Sequence, residues 1–197
     1  MSDLHVAART GDLGRIRALL DAGVEIDGRD AQGRTAALVA TYFRQTEAAQ
    51  LLLSRGANPN QRDNMLNSPF LLAGAEGLLE ILIAASEAGA DPTITNRYGG
   101  VAIIPAAEHG HLEVIRFLLG HTTIDVNHVN NLGWTALLEA IILSDGGPVH
   151  REVVYVLLTH GADPNLRDSD GVSPLTHAQA RGYLEIARLI ESAGGRA

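Results

Sequence analysis

The apolar positions of this chain fall into a repeated pattern of two short stripes. A polar residue two or three places before a glycine-rich turn marks each repeat, and the marks are Asp30, Asp63, Asn96, Asn130 and Asp168. Each mark is followed by a Thr or Ser with apolar neighbours, as in 135–138, except in the fourth repeat, where Val101 takes this position; a second apolar stripe comes next, as in 153–158. The spacings of the marks are 33, 33, 34 and 38 residues. This period predicts stacked repeats, because one repeat cannot bury its own stripes.

Capping and turn residues predict a helix–turn–helix in each repeat, followed by an extended hairpin finger. Side-chain oxygens that can accept from free N–H groups at a helix start lie at the beginning of the first stripe, at Thr35, Ser68, Thr135 and Ser173. Glycines separate the two helices at Gly77, Gly110 and Gly182, and end the second helix at Gly56, Gly89 and Gly161.

These features resemble the ankyrin repeat, whose motif runs roughly D-x-x-G-x-T-P-L-H-x-A-A, a polar turn, L-E-x-V-x-x-L-L and G-A-D-x-N. The segments 56–60 and 161–165 match its end, and the tract 96–147 also resembles small bacterial ankyrin proteins. The resemblance covers nearly the whole chain and implies an all-α ankyrin-repeat solenoid of stacked helix–turn–helix units with short β-hairpin fingers. It predicts a single domain, 1–197, with repeats at about 1–29, 30–62, 63–95, 96–129, 130–167 and 168–197.

The chain departs from this motif in three places. The motif histidine is present only as His5, and its counterparts are mainly apolar, so we expect apolar packing to replace its hydrogen bonds. Pro105 lies in the second turn of a predicted first helix and should distort or delay that helix. The fifth repeat, at 38 residues against 33, carries five extra residues, which predict a rim loop around 144–149.

Composition narrows the classes of partner and chemistry. The net charge of −8 disfavours binding to nucleic acid or to an anionic membrane surface. The absence of Cys excludes disulfides and thiolate chemistry. No uncharged apolar run reaches the ~18 residues of a membrane span, and the first residues lack the pattern of a signal peptide. We therefore expect a cytoplasmic protein. We also expect a monomer, and no cofactor, because binding through an exposed surface needs none.

The resemblance implies that another protein binds to the fingers and to the first helices on the concave face. We expect that the chain is not an enzyme, because it has no nucleophile elbow, phosphate-binding loop or zincin-type helix motif. Trp134 and Tyr98 are of the types enriched in binding hot spots; alternatively, they pack on adjacent fingers and stiffen them. The candidate partner-binding residues are Tyr42, Phe43, Arg97, Tyr98, Glu108, His109, Trp134, Glu139 and His177.

An alternative function is a small-ligand or hydrolytic pocket built from Glu108, His109, Glu139 and His177. Clustered Glu and His side chains can perform acid–base chemistry when their pKa values are tuned. The same residues also fit a simple Glu–His hydrogen bond on a solvated surface. We expect no metal site, because His109 and His111 should point apart around a glycine, and His111 and His150 match the ordinary joint of the repeat.

Overall fold

The computed structural model describes residues 2–197, and these form twelve α-helices in six consecutive pairs, with no β-strand among them. The first helices are α1 (Asp3–Thr10), α3 (Ala36–Tyr42), α5 (Pro69–Ala75), α7 (Ile103–Glu108), α9 (Ala136–Ile142) and α11 (Pro174–Ala180). The second helices are α2 (Leu13–Asp21), α4 (Thr46–Ser54), α6 (Leu79–Glu87), α8 (Leu112–His121), α10 (Pro148–Thr159) and α12 (Leu184–Ser192). Each pair lies within one predicted repeat, so the predicted all-α architecture is confirmed.

The chain divides into two compact units. The first comprises the residues up to Gly74 together with Leu78–Arg97, and the second comprises Ala75–Gly77 and Tyr98–Ala197. In the first unit α1 packs on α3, and α4 packs on α2 and α6. In the second unit α9 packs on α7 and α11, and α10 packs on α8 and α12. First helices thus stack on first helices and second helices on second helices. The single-domain organisation remains a prediction.

The predicted caps of the first helices are present. Thr35 Oγ1 accepts a hydrogen bond from the backbone N–H of Leu38 at 3.3 Å, and Thr135 Oγ1 accepts one from Leu138 at 3.2 Å. Ser68 and Ser173 cap α5 and α11 in the same way. These bonds satisfy N–H groups that have no partner inside the helix.

Pro105 delays α7, as its position in the sequence predicts. The residue aligned with the first residues of α3 and α9 is Ala102, but α7 begins one residue later, at Ile103. Proline has no N–H to donate to the carbonyl of Val101, which instead accepts from Ile104 at 3.1 Å. The first helix of the fourth repeat is therefore only 6 residues long.

The fingers are tight turns rather than strand pairs in the part of the chain that the structure describes. In the second repeat the N–H of Asp30 donates to the carbonyl of Arg34 at 3.0 Å, which closes the turn. Asp30 Oδ1 accepts from the N–H groups of Gln32 and Arg34, both at 2.9 Å. Asp63, Asn130 and Asp168 accept from their own turns in the same way. One side-chain oxygen thus holds each of these fingers.

Histidines contribute more to the contacts between repeats than the sequence suggested. His5 Nε2 donates to the carbonyl of Arg34 at 2.9 Å, the bond that the motif implies, and the aligned Leu38 and Leu138 are buried. In the second compact unit, however, His111 Nε2 and His150 Nε2 donate to the carbonyls of residues 75 and 108, at 3.1 and 2.9 Å. We expected mainly apolar packing to replace the motif histidine. His111 and His150, which lie at the start of the second helices of their repeats, also supply hydrogen bonds between repeats.

The predicted rim loop is shorter than expected. Pro148 and Val149 belong to α10, because proline is favoured in the first turn of a helix, where its missing N–H costs nothing. Tyr183 holds the remaining loop by donating from its hydroxyl to the carbonyl of Ser144 at 2.6 Å. None of the helices in residues 2–197 has the length and apolar character needed to cross a membrane.

Candidate functional site

The residue at the base of a finger has a second polar atom, which pairs with a different partner in the second, third, fifth and sixth repeats. Asp30 Oδ2 accepts from Arg34, and Asp63 Oδ2 accepts from the Tyr42 hydroxyl at 2.8 Å. In the fifth and sixth repeats the partner lies nine residues further on, where the first helix passes the finger. These pairs are Asn130–Glu139, at 2.8 Å, and Asp168–His177, at 2.7 Å.

The Asn130–Glu139 pair inverts the roles of the Asp168–His177 pair. Asn130 Nδ2 donates to Glu139 Oε1, whereas Asp168 accepts from His177 Nε2. An aspartate at position 130 would place one carboxylate against another. Asparagine at this finger base is therefore matched to the glutamate on α9. The sequence signal was available, since Asn130 stands where most repeats have Asp, but the pairing was not anticipated.

Glu139 is a carboxyl group held inside the second compact unit. It is only 6% exposed, and Asn130 is the one residue within 2–197 that donates a hydrogen bond to it. Burial raises the pKa of Glu139 to about 7, and the nearby Glu108 carboxylate raises it further, while Asn130 and His109 oppose the rise. Near neutral pH this carboxyl group is thus poised between its neutral and charged forms.

Glu108 and His109, at the end of α7, share the electrostatic environment of Glu139. His109 Nδ1 donates to the carbonyl of Pro105 at 2.8 Å and lies 3.9 Å from Glu108 Oε2. The expectation that His109 and His111 point apart was wrong, because their rings stack with centroids 5.7 Å apart. Even so, the described residues contain no group of three or more His, Asp or Glu side chains arranged to hold a metal ion.

His177 is engaged elsewhere. Its Nε2 donates to Asp168, and its Nδ1 lies 3.3 Å from Arg181 Nη1. The pKa of Asp168 lies below its usual value. Burial acts to raise this pKa, but hydrogen bonds from the backbone of the same finger and from His177 outweigh burial and lower it. The structure therefore links Glu108, His109 and Glu139 electrostatically, while the hydrogen bond of His177 goes to its own finger.

The two candidate aromatic residues of the second compact unit lie on neighbouring fingers, as predicted. Tyr98 is 50% exposed, and its carbonyl accepts from the N–H of Asn131 at 2.8 Å. Trp134 is half-buried, and its N–H donates to Asn130 Oδ1 at 3.0 Å. Asn130 thus connects the Trp134 finger to the Glu139 carboxyl group.

The remaining candidates lie in the first compact unit. The Tyr42 hydroxyl donates to Asp63 and accepts from Asn67 Nδ2, both at 2.8 Å, so this side chain ties α3 to the next finger. Burial raises the pKa of Tyr42, and Asp63 adds to the rise. Phe43 is 46% exposed, with the Arg9 guanidinium 5.8 Å from its ring centroid. Arg97 is an exposed finger residue.

Sequence reasoning overlooked Leu66, at the tip of the third finger. Its φ is +60°, in the left-handed region, and its side chain is 40% exposed. The other four fingers have glycine here, at Gly33, Gly99, Gly133 and Gly171, with φ between +73° and +78°. A left-handed conformation costs an L-residue about 1–2 kcal/mol. The sequence did contain a signal for this strained residue, because the third finger lacks the glycine that the other four fingers have at this position.

Comparisons with known proteins agree on one family. A family model described as ankyrin repeats (3 copies) matches residues 2–63 and 70–168. The ankyrin repeat protein YahD of Escherichia coli K12 is 42% identical over 193 residues, covering 98% of this chain and 96% of that protein. The crystal structure of an ankyrin repeat domain from Acinetobacter baumannii AYE has a TM-score of 0.95 and 50% identity over 98% of both chains. Cyclin-dependent kinase 4 inhibitor B of Bos taurus is 35% identical over 59% of this chain and 89% of its own.

Proposed function

The chain belongs to the ankyrin-repeat family, and we propose that it is a monomeric interaction module that binds another protein through its fingers and the concave face of its first helices. Ankyrin repeats generally mediate protein–protein interaction. One similar protein is named as an inhibitor of a protein kinase, which is a binding function. Similarity to these proteins does not identify the partner, because one scaffold serves many partners.

The observation that carries the proposal is the composition of the finger surface in the second compact unit. Tyr98 presents half of its surface to solvent, and the half-buried Trp134 lies on the adjoining finger. Aromatic side chains of this kind contribute large contact areas at little cost in conformational entropy. The fingers that carry them are held by side-chain and backbone hydrogen bonds, so they are organised before a partner arrives.

The contacts of Glu139 and His177 count against the enzymatic alternative. A catalytic acid–base pair needs both groups within hydrogen-bond reach of each other or of a shared proton. The hydrogen bond to Glu139 comes from Asn130, and that of His177 goes to Asp168. Both interactions tie a first helix to its finger, which is a structural role. We therefore propose binding without catalysis.

Affinity capture with the intact chain tests this proposal. Wild-type protein and the Tyr98→Ala/Trp134→Ala double variant are immobilised in parallel, and captured proteins are quantified by mass spectrometry. Tyr155→Ala is the matched control, because Tyr155 is equally exposed but lies on α10, a second helix. We expect a partner that wild type and the control retain and that the double variant loses.

The captured protein is then purified and titrated against all three forms. If both aromatic side chains are hot spots, their removal should weaken binding by about 2 kcal/mol or more, which is roughly 30-fold in Kd. Equal Kd values for the double variant and the control would refute this placement of the binding surface.

A further inference from the structure

We propose that the site formed by Glu108, Glu139 and the two finger aromatics, Tyr98 and Trp134, receives an arginine side chain of the partner protein. This inference rests on the proposed function and specifies its chemistry. All four residues belong to the second compact unit.

The first observation is a carboxyl group with incomplete hydrogen bonding. Glu139 is 94% removed from solvent, since its exposure is 6%, and Asn130 donates only to Oε1. No residue in 2–197 donates to Oε2, and no buried side-chain N or O atom of the described residues lacks a partner, so Oε2 retains contact with solvent. A buried carboxylate with one open oxygen is costly alone and favours a charged donor.

The second observation is the sign of the charge around that oxygen. Glu108, on the neighbouring helix α7, acts on Glu139 as a second negative group. The second compact unit as a whole carries twelve Asp and Glu against six Arg, a balance of −6, whereas the first carries eleven against nine, a balance of −2. The compact unit that contains Glu139 is therefore the more acidic of the two, and its net negative charge favours a cationic partner group.

The third observation selects guanidinium among the cations. Asn130 joins the Glu139 carboxyl group to the Trp134 finger, and the Tyr98 finger is bonded to the same turn. A guanidinium group has five N–H donors in a plane, pairs with carboxylates and stacks on aromatic faces. A site that combines the Glu108 and Glu139 carboxylates with an aromatic residue on each of the two bonded fingers can use both properties of the guanidinium group.

A peptide array provides the test. Each spot carries octapeptides with one fixed central residue among mixed neutral residues, and the central residue is arginine, citrulline, leucine or glutamate. Citrulline keeps the shape of arginine without its charge. Wild-type protein is compared with Glu139→Gln and Glu108→Gln, and Glu191→Gln is the control, because Glu191 is an exposed residue of α12 and its loss changes the net charge equally.

We expect wild type and the control to bind the arginine spots at least about tenfold more strongly than the citrulline spots, as for a charge-assisted hydrogen bond. Both site variants should reduce arginine binding to the citrulline level. Equal binding of arginine and citrulline, arginine binding that survives both site variants, or no binding to any spot would each overturn the inference. The capture experiment with the aromatic variants judges the proposed function independently of these outcomes.

The pH dependence of arginine binding gives a second readout. Since the pKa of Glu139 is about 7, lowering the pH neutralises this group and should weaken binding. Protonation of nearby histidines acts in the same direction. The titratable and charged groups on the helices packed against α9 and at their ends are Glu108, His109, His150, Arg151, Glu152, Tyr155, His160, His177 and Arg181. Glu139→Gln leaves all of them in place. The difference in pH dependence between wild type and this variant therefore belongs to Glu139, and identical profiles would contradict its role.

Discussion

Replacing Glu139 with glutamine should stabilise the protein at alkaline pH and leave its stability almost unchanged at acidic pH. The carboxyl group is buried beside Glu108, and its pKa is raised from 4.5 to about 7 in the folded protein. Because the folded pKa lies above the unfolded value, folding favours the protonated form. The stability of wild type should therefore fall as the pH rises between these two values and level off above the higher one. Glutamine keeps an oxygen for Asn130 to donate to but cannot ionise.

The magnitude follows from the two pKa values. A change from 4.5 to about 7, at about 1.4 kcal/mol per pKa unit, corresponds to about 3 kcal/mol of stability. Wild type should lose this amount between about pH 4.5 and pH 8.5, and Glu139→Gln should not. Titrating groups that do not interact with Glu139 contribute equally to both proteins and cancel in the difference, whereas Glu108 and His109 interact with it electrostatically and belong to the same effect.

Urea unfolding at a series of pH values measures this difference. Circular dichroism reports the helices, and the fluorescence of Trp134, the only tryptophan in the chain, reports the fifth repeat. Glu191→Gln controls for the loss of one exposed negative charge. A difference between wild type and Glu139→Gln that stays constant across the pH range, or matches that of the control, would refute the argument that Glu139 is buried in a proton-poised state.

Three further substitutions test individual features of the structure by urea unfolding. Leu66→Gly should stabilise the protein by about 0.5–1 kcal/mol, because glycine adopts the left-handed conformation at φ +60° without strain; unchanged or lower stability would contradict strain at this fingertip. Asn130→Asp should destabilise by about 1–3 kcal/mol at pH 8, since it removes the donor to Glu139 and adds a facing carboxylate, and Glu139→His in the same chain should restore most of the loss by recreating the pair of the sixth repeat. Failure of this double variant to recover would show that the pairing is not the cause. Gly146→Ala should destabilise by at least about 1 kcal/mol, because φ is +67° and the added Cβ would lie 2.5 Å from the Tyr183 ring; wild-type stability would mean that the loop relaxes freely.

The helices and their caps could be predicted from the sequence because they depend on local signals. A Thr or Ser before an apolar stripe specifies a helix start with little dependence on distant residues, as Thr35 and Thr135 illustrate. Pro105 is equally local, since its missing N–H acts on its own helix. The repeats strengthened the prediction further, because the same helix-start residues recur at a nearly constant spacing along the chain.

The candidate site was less predictable, because it depends on which side chain meets which finger. The sequence placed Glu139 and His177 at equivalent positions and suggested a shared cluster, but each is bonded to its own finger base, Asn130 or Asp168. That choice depends on side-chain rotamers and on a hydrogen bond across a nine-residue separation. Tyr42 is a similar case, since its bond to Asp63 spans two repeats.

Hydrogen exchange on the complex with the captured partner tests the central claim most directly. If binding uses the fingers and first helices of the second compact unit, backbone amides in 98–109 and 130–142 should gain protection, while those of α10 and α12 stay unchanged. Protection confined to α8, α10 and α12 would place the partner on the second helices and contradict the proposed binding surface.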